Sequence, residues 1–541
     1  MGSIGLEEPR GVATPETAEA HQKGTPLIVS RPWAAGEMAI VLSLAAGACL
    51  LHLLVNIFAA GRYGLFRDEL YYLACAEHLD WGYVDHAPLV ALLAWFSRSL
   101  LGNSLVALRL LPAFAGAAKI LVTAWIVREL GGGRFAQLLA GVTVLLAPIY
   151  LVFDNLLTMN AFEPVFWMLG AAIVMRITRG GDARLWLLFG LVAGIGLLNK
   201  HSMLFFGSGV LVGLLLTPER RFLRSRWIWL GALVSFLLFS PNLLWEIRHH
   251  WPTIENLRNV RENIYAPVTP IEFILQQALL VLPLATPIWL AGLYSFLGTS
   301  EGKRYRLLGW TYLVVLAELL MLKGKIYYLA PAYPMLLAAG AVWIAGWIRE
   351  RRWNWWKPAL VVPLAVAGTV AAPLALPMLP VEATASYAKF WRADAVKVES
   401  PDSGRLPQLF AEMFGWQNQA ATVARVYHSL SAEDQVKCAI LAGNFGEAGA
   451  IDFFAQRYGL PKAISGNNSY YLWGPRNYSG EVMVSIGVPR RELEALFGQV
   501  EQAATIVNKY AVPDEANLPV YICRKPKMPV REAWPKLKNY G

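Results

Sequence analysis

The chain has 541 residues, of which 56% are hydrophobic and only 16% charged. Soluble globular proteins carry about 25% charged residues, so a purely water-soluble class of protein is excluded. The net charge of +10 does not indicate a nucleic-acid partner. The basic residues fall in short clusters between apolar runs, where membrane topology requires them.

The first part of the chain predicts a polytopic α-helical membrane protein. Residues 1–35 are polar and predict a disordered cytoplasmic tail. The first apolar run has no signal-peptide cleavage site and predicts a retained anchor. Residues 36–380 predict a membrane domain of about eleven helices, each able to cross the hydrocarbon core. The predicted spans are 37–58, 105–127, 135–152, 160–177, 185–199, 202–217, 228–245, 271–298, 307–323, 327–347 and 357–378.

The basic residues predict the orientation of these helices, because cytoplasmic loops carry an excess of Lys and Arg. Alternate connections are basic, and the connection at 153–159 has no basic residue. The N-terminus is therefore predicted to be cytoplasmic, and the eleventh helix delivers the rest of the chain outside. The longer outer connections, 59–104 and 246–270, are the expected location of a site, because long loops on a rigid scaffold commonly carry function.

Residues 381–541 predict a soluble extracytoplasmic α/β domain. Short apolar strands are predicted at 438–443, 481–488 and 518–523, with helices at 448–458 and 490–499. Cys438 and Cys523 lie in this domain, where either a disulfide or two free buried thiols is consistent with the sequence. The glycine-rich run at 443–449 favours a tight turn before a helix over a phosphate site, because its spacing matches no nucleotide motif.

An acidic pair stands out in the first outer connection, where Asp68 and Glu69 follow a spanning helix. Carboxylates at the bilayer edge are costly unless they have partners or a function. A helix over 68–80 would bring Asp68 towards Asp85, the next acid of interest. Such a pair suits a general base with a second acid that holds a metal or a basic partner. The alternative is that Asp68 and Glu69 merely cap an interfacial helix.

Four motifs occur in the same order as in a known family. They are RDELYYLACAEHLDWGYVDHAPL at 67–89, GLLNKH at 196–201, PNLLWE with HWP at 241–252, and KIYYLAPAYP at 325–334. Together they resemble glycosyltransferase family 39, the bacterial relatives of the dolichyl-phosphate-mannose-protein mannosyltransferases. Each motif alone is weak, but four in order with a matching topology are specific. The resemblance covers about 40–350.

The resemblance implies a GT-C fold and an inverting sugar transfer from a polyprenyl-phosphate donor at the outer face of the bacterial inner membrane. It implies Asp68 as the general base, with Glu69 and Asp85 shaping the site. Asp85 and His86 stand where distantly similar lipid A aminoarabinose transferases carry Glu-Lys, whose lysine touches the lipid phosphate. His86 is a poorer cation at neutral pH. Relatives often have Asp where Asn160 stands, and the expected substitutes are Glu163 or Asp154, with Glu246 as a further accessory acid.

A phosphate donor requires cations at the outer face. The candidates near predicted outer helix ends are Lys200, Arg248, His249 and Lys325. Snorkelling to the lipid headgroups is the alternative for the long side chains. Tyr327 and Tyr328 fit an interfacial aromatic belt or a substrate wall.

The sequence leaves open the sugar, the cofactor and the acceptor. A divalent metal held by Asp68 and Asp85 is one option for the cofactor, and protein, lipid and glycan are all options for the acceptor. A transporter or lipid flippase is the rival hypothesis, but it predicts inverted repeats and mid-membrane charges. The sequence shows no repeat and few such charges. A sensor with an anchored outer domain is a third option, for which eleven helices are excessive.

Overall fold

The structure is a computed structural model that describes residues 33–263, 268–393 and 404–541. The predicted disordered tail lies outside the described residues up to position 32. From Ala35 to Gly541 the chain forms one compact unit. Its apolar helices form a bundle, and its C-terminal part forms a small mixed sheet with helices.

Six helices of the described chain are long and apolar enough to cross a membrane, and two bent helix pairs raise the number to as many as eight. The prediction of a multi-span helical protein is therefore confirmed in its coarse form. The six are Ala35–Ala59, Leu105–Glu129, Met159–Thr178, Arg226–Arg248, Ile326–Arg351 and Trp356–Ala375. Shorter apolar helices are Leu89–Leu101, Arg134–Leu146 and Leu185–Asn199.

The first half of the bundle contains α1 (Ala35–Ala59), α2 (Arg67–Glu77), α3 (Leu89–Leu101), α4 (Leu105–Glu129), α5 (Arg134–Leu146), α6 (Pro148–Phe153), α7 (Met159–Thr178), α8 (Leu185–Asn199), α9 (Met203–Leu215), α10 (Arg226–Arg248) and α11 (Pro252–Asn263). The second half contains α12 (Pro270–Val281), α13 (Thr286–Gly298), α14 (Arg306–Met321), α15 (Tyr333–Arg351), α16 (Trp356–Ala375) and α17 (Val381–Phe390). Short 3₁₀ turns at 218–224, 283–285, 301–305 and 326–332 connect some of them.

Two predicted spans are wrong as single helices. The segment 271–298 is bent by 98° between α12 and α13, where Leu282 has a φ of +84° and Pro283 follows. The segment 135–152 breaks at Ala147, which is extended because it precedes Pro148. The predicted loop 59–104 also contains an apolar helix, α3, which hydropathy missed because it has only 13 residues.

The C-terminal sheet has strand order β2-β1-β3-β5-β4. Its strands are β1 (Cys438–Ala442), β2 (Ala463–Ser465), β3 (Val482–Ile486), β4 (Phe497–Val507) and β5 (Asn517–Pro526). The first three strands are parallel, whereas β5 runs antiparallel to both β3 and β4. The helices around it are α18 (Gln408–Ala411), α19 (Trp416–His428), α20 (Ala432–Lys437), α21 (Phe445–Tyr458), α22 (Asn468–Trp473), α23 (Arg490–Leu496), α24 (Pro513–Ala516) and α25 (Val530–Ala533), with a 3₁₀ turn at 534–537.

The two cysteines of this part of the chain are free and buried. Cys438 lies in β1 and Cys523 in β5, and β3 lies between these strands. Two strand spacings separate the backbones by about 9–10 Å, which exceeds the reach of a disulfide. Of the two alternatives that the sequence left open, the structure has free thiols.

Two glycines of α21 let it pack closely on α2. A Cβ at Gly446 would lie 2.6 Å from the Arg67 side chain, and one at Gly449 would lie 3.0 Å from the Leu70 backbone. Asn444 caps α21, because its Oδ1 accepts a hydrogen bond from the Glu447 N–H at 3.0 Å. The run 443–449 is thus a turn and helix start whose glycines serve helix packing, as the favoured interpretation predicted.

The bundle has two chemically different ends. At one end, Arg179 pairs with Glu129 at 3.0 Å, and Arg184 lies over the Trp227 ring at 5.5 Å. At the other end, residues 60–88 contact the sheet domain, as Val84 N–H does when it donates to Ser469 Oγ at 3.1 Å. Helix α4 connects the two ends, since its 25 residues extend about 37 Å.

Two buried ion pairs hold α4 in the bundle. Arg109 binds Glu69 with two hydrogen bonds of 2.8 Å, and both side chains are fully buried. About three turns further along α4, Lys119 Nζ lies 2.7 and 2.9 Å from the carboxylate oxygens of Asp154. Charges inside an apolar bundle are tolerated when they are paired in this way. The Glu69 pair therefore anchors α2 to α4.

We expect Arg109→Met to destabilise the protein strongly, because it leaves the Glu69 carboxylate buried without its cation. Breaking a buried pair from one side costs about 3–5 kcal/mol. The measurement is the thermal unfolding midpoint in detergent. Arg98→Met is the matched control, because Arg98 pairs with Glu77 at the surface, where a pair contributes about 1 kcal/mol or less. Equal losses in the two variants would contradict the anchoring role.

Candidate active site

The first residues of α2 carry the proposed base. Asp68 lies in the first turn, where the helix dipole favours a carboxylate. Its side chain is about one-third exposed, and Arg67 Nε lies 3.8 Å from its Oδ1. Asp68 is therefore accessible to a substrate while it remains beside a cation.

Asp85 approaches the same helix one turn further along. The Tyr71 hydroxyl lies 2.9 Å from Asp85 Oδ1, and the Arg67 guanidinium acts on the same carboxylate through space. Burial raises the pKa of Asp85 to about 6, although the hydrogen bonds from Tyr71 and Asn468 and the charge of Arg67 oppose that rise. Both predicted acids thus gather around the first two turns of α2, next to one arginine.

The sheet domain contributes to this arrangement through the start of α22. Ser469 Oγ lies 2.7 Å from the Tyr71 hydroxyl, and the Ser469 N–H donates to the same hydroxyl at 3.1 Å. Asn468, with a φ of +45°, hydrogen-bonds Asp85 through its side chain. No local sequence signal identifies these two residues, because their partners lie almost 400 positions earlier in the chain.

Arg67 is a further residue for which the sequence predicted no role. Its Nη2 lies 3.3 Å from Glu412 Oε1, and its guanidinium lies over the Phe445 ring at 5.3 Å. One cation therefore contacts Asp68 and the sheet domain together. Its position directly before the acidic pair was the available signal.

Glu69, which the resemblance implies helps to shape the site, is fully buried and paired with Arg109. Besides Arg109, its carboxylate accepts hydrogen bonds from the Phe66 N–H at 2.8 Å and the Leu157 N–H at 3.0 Å. A carboxylate with four donors and no exposed surface is not accessible to a substrate. Glu69 caps α2 and ties it to the connection between α6 and α7.

His86, a candidate for the donor phosphate, is buried. Its ring is stacked on Tyr83 at 4.6 Å and meets the edges of Tyr71 and Tyr72. Burial in this aromatic cage lowers the pKa of His86 to about 4, so the imidazole is neutral at physiological pH. The residue therefore fills a structural position beside Asp85.

Two predicted cations and two predicted aromatic residues form one group, which we call the lysine–tyrosine cluster: Lys200, Lys325, Tyr327 and Tyr328. Lys200 Nζ lies 4.5 Å from the Tyr328 ring centre and 5.6 Å from that of Tyr327. Lys325 Nζ lies 5.9 Å from the centre of the same Tyr327 ring. The structure thus brings together ammonium groups that are far apart in sequence.

Two predicted accessory acids are engaged by lysines. Lys200 Nζ donates to Glu163 Oε2 at 2.9 Å and to Asn160 Oδ1 at 2.7 Å. Glu163 thus shares a partner with Asn160, one helical turn away, in agreement with the expected substitution. Asp154 is held by Lys119, whose Nζ lies 2.7 Å from its Oδ1.

The remaining predicted residues lie on α10 and its end. Glu246 is buried and accepts a hydrogen bond from Thr253 Oγ1 at 2.5 Å. His249 stacks on Trp245 at 4.2 Å, and Arg248 is exposed. Trp245 Nε1 donates to Asp80 at 2.9 Å, which places this helix end against the loop that carries Asp85. Within the described ranges, no group of three or more His, Cys, Asp or Glu residues is arranged to hold a metal ion.

Comparison with known proteins supports the resemblance inferred from the motifs. The sequence model of the dolichyl-phosphate-mannose-protein mannosyltransferase family matches residues 85–245. The lipid A galacturonosyltransferase RgtD of Rhizobium johnstonii is 24% identical over 299 residues, which are 53% of this chain and 61% of the relative. The match therefore spans about three-fifths of the length of that curated relative.

Solved structures support the fold. ArnT from Cupriavidus metallidurans bound to undecaprenyl phosphate has a TM-score of 0.58 at 14% identity, over 91% of this chain and 98% of that one. The oligosaccharyltransferase AglB from Archaeoglobus fulgidus, in complex with an inhibitory peptide and a dolichol-phosphate, has a TM-score of 0.50 at 13% identity, over 84% and 70%. The predicted GT-C fold and the resemblance to this family are confirmed.

We expect Asp85 to make stability depend on pH. Its pKa is about 6 in the fold against 3.8 for an unperturbed aspartate, so ionisation of the buried carboxylate destabilises the fold as pH rises between those values. The contribution lost is about 3 kcal/mol at most, since each pKa unit is worth about 1.4 kcal/mol. Asp85→Asn removes this dependence.

The measurement is the difference in unfolding midpoint between Asp85→Asn and the unmodified protein at pH 4.5 and at pH 7. The variant should gain relative stability at the higher pH. Asp182→Asn is the control, because Asp182 is exposed and its carboxylate accepts a hydrogen bond from the nearby Arg184 N–H. A difference that is the same at both pH values would contradict the burial effect.

Proposed function

We propose that this chain is a membrane glycosyltransferase that moves a sugar from a polyprenyl-phosphate donor to an acceptor hydroxyl with inversion. The observation that carries the proposal is the arrangement around Arg67. A carboxylate that is about one-third exposed, Asp68, and a buried one, Asp85, both lie near the Arg67 guanidinium, at the end of a GT-C bundle that also holds the lysine–tyrosine cluster. Two solved structures with this fold contain a bound polyprenyl phosphate: undecaprenyl phosphate in ArnT and dolichol-phosphate in AglB.

In this proposal Asp68 acts as the general base. It takes the proton from the acceptor hydroxyl while the hydroxyl oxygen forms a bond to the anomeric carbon of the donor sugar. The bond from that carbon to the phosphate oxygen breaks, and its electron pair leaves with the polyprenyl phosphate. Attack from the side opposite the phosphate inverts the anomeric centre. Arg67 lies beside this carboxylate, with its Nε 3.8 Å from Asp68 Oδ1.

The cations serve the leaving group. The phosphate gains negative charge as the bond breaks, and cations placed there in advance stabilise that charge. Lys200 and Lys325 fit this role because both ammonium groups lie at the aromatic wall formed by Tyr327. Arg248 and His249 are second candidates at the end of α10. Asp85 and Glu69 position the α2 region, and Asp154, Glu163 and Glu246 hold their neighbours in place.

We propose that the site faces the extracytoplasmic side of a bacterial inner membrane, with the N-terminus in the cytoplasm and residues 381–541 outside. The arginines at the far end of α4 support this orientation, because basic residues favour the cytoplasmic side. Eleven passages across the bilayer remain our proposal for the topology, with the short apolar helices counted as spans. Lipid A is the first acceptor to test, because the curated relative is named for it.

Asp68→Asn should reduce sugar transfer by about 100-fold or more, because a positioned general base contributes roughly 10²–10⁴-fold. The measurement is the release of undecaprenyl phosphate from undecaprenyl-phosphate sugars, quantified by mass spectrometry with lipid A as acceptor. Donors carrying mannose and galacturonic acid are compared. Glu433→Gln, which removes an exposed acid of the sheet domain, should retain full activity. Undiminished turnover in Asp68→Asn would remove Asp68 from the mechanism.

Lys200→Gln and Lys325→Gln should each weaken binding of undecaprenyl phosphate by about tenfold, the effect of losing one charge-assisted hydrogen bond. Native mass spectrometry of the detergent-solubilised protein measures the bound fraction. Undecaprenol, which lacks the phosphate, should bind the variants and the unmodified protein alike. Lys303→Gln, at an exposed basic connection, is the control. Binding of the phosphate that is unchanged in both cluster variants would contradict this assignment.

A further inference from the structure

The sheet domain has a surface cleft that the proposed reaction does not use. It has a volume of about 380 Å³ and is lined by Trp473, Gly474, Pro475, Arg476, Asn477, Arg531 and Trp534. This volume falls within the range of small-molecule sites. We call it the arginine–tryptophan cleft.

The cleft is positively charged. Arg531 is exposed, and it forms no hydrogen bond or ion pair with the rest of the described chain. Arg476 is held in place, because its Nε donates to the Ala463 carbonyl at 3.2 Å and its Nη2 lies 3.7 Å from Asp452. None of the seven lining residues is acidic. Asp452 partly offsets the charge of Arg476, so Arg531 is the guanidinium best placed to bind a carboxylate or phosphate ligand with paired hydrogen bonds.

The other prominent lining residues are aromatic. Trp534 donates from its indole N–H to the Tyr471 carbonyl at 3.0 Å and is almost fully buried. Trp473 is half-buried and stacks on His78 at 4.3 Å. An indole ring has a large apolar face that suits the apolar face of a sugar ring. The half-buried Trp473 can offer part of its ring in this way, whereas Trp534 is too buried to contact a ligand by its face. The pairing of Trp473 with Arg531 therefore favours an anionic saccharide over a simple anion.

Helix α22 connects this cleft to the candidate active site. Its first residues, Asn468 and Ser469, contact Asp85 and Tyr71, and its last residue is Trp473. Five residues of helix rise only about 7.5 Å. The cleft thus begins about one sugar ring away from the residues that hold Asp85.

We propose that the arginine–tryptophan cleft binds a phosphorylated or carboxylated saccharide of the acceptor and so presents a hydroxyl further along the same glycan to Asp68, which lies about 15 Å from His78 along α2. This inference rests on the proposed function for its role in the reaction, but the binding itself does not. It assigns the acceptor to the class of anionic glycans or glycolipids. The donor phosphate is held elsewhere, at the lysine–tyrosine cluster.

The test uses the full-length Asp68→Asn protein in detergent, so that no turnover occurs. Its affinity for diphosphoryl lipid A and for chemically dephosphorylated lipid A is measured by microscale thermophoresis. We expect the phosphorylated form to bind at least about tenfold more tightly, which corresponds to one charge-assisted contact. Arg531→Gln should remove most of this preference, and Trp473→Ala should weaken binding of both forms.

Arg490→Gln is the charge control, because it removes an exposed arginine of the same domain that pairs with Glu494 outside the cleft. Arg531→Lys should retain part of the preference, since lysine keeps the positive charge but lacks the planar guanidinium that forms paired hydrogen bonds. Equal affinity for the two lipid A forms, or an equal loss in Arg490→Gln and Arg531→Gln, would overturn the proposal. An acidic peptide that competes as well as the glycolipid would also overturn it.

Binding to the cleft and the transferase reaction can fail independently in these experiments. If the unmodified protein transfers no sugar but Arg531→Gln still loses binding, the proposed function fails and the cleft stands. If transfer occurs, Arg531→Gln should raise the KM for the acceptor by about tenfold while kcat stays nearly unchanged. A fall in kcat at unchanged KM would overturn the acceptor-binding role while the transferase activity stands.

Discussion

The buried pair between Glu69 and Arg109 determines where the candidate site can form. α2 is not a strongly apolar helix. Its position depends on the Glu69 carboxylate, which forms a buried ion pair with Arg109 of α4. Because the same carboxylate also binds the Leu157 N–H, it joins three parts of the chain at one point. Asp68, the adjacent residue, then projects in a different direction, since successive residues of a helix are about 100° apart. Glu69 thus stabilises the position of α2, and the adjacent Asp68 is accessible for chemistry.

The sheet domain is part of this arrangement and not a separate attachment. Glycines in α21 allow α2 to approach its backbone, Arg67 bridges to Glu412, and Ser469 meets Tyr71. The domain therefore restrains α2 from the side opposite the bundle. In the proposed mechanism this explains how a partly exposed carboxylate keeps a fixed position without deep burial.

Much of the membrane architecture follows from the sequence, and the reasons are local. The ends of α1, α4 and α7 agree with the predicted spans to within two residues, because charged residues at both ends of a long apolar run fix where the helix begins and ends. The 98° bend in 271–298 was missed because hydropathy measures solvent preference and contains no information on chain direction. The short α3 was missed for a related reason, since 13 residues fall below the usual length of a span.

The candidate site was predictable only in part. Motifs identified Asp68, Asp85 and the lysine–tyrosine cluster as residues of interest, since each is an unusual residue at a helix end. The same motifs did not separate Glu69 from Asp68, or expose the aromatic cage that keeps His86 neutral. Those differences depend on side chains from other helices. Asn468 and Ser469 were beyond reach for the same reason, because their partners are close in space and distant in sequence.

That distance affects how the protein is made. Tyr71 is synthesised 398 positions before Ser469, so the ribosome completes every apolar helix before the second half of this contact exists. Contacts of such long range form late in folding. A chain interrupted after the membrane helices would insert in the bilayer yet lack the residues that hold Asp85. Assembly of the candidate site thereby coincides with completion of the polypeptide.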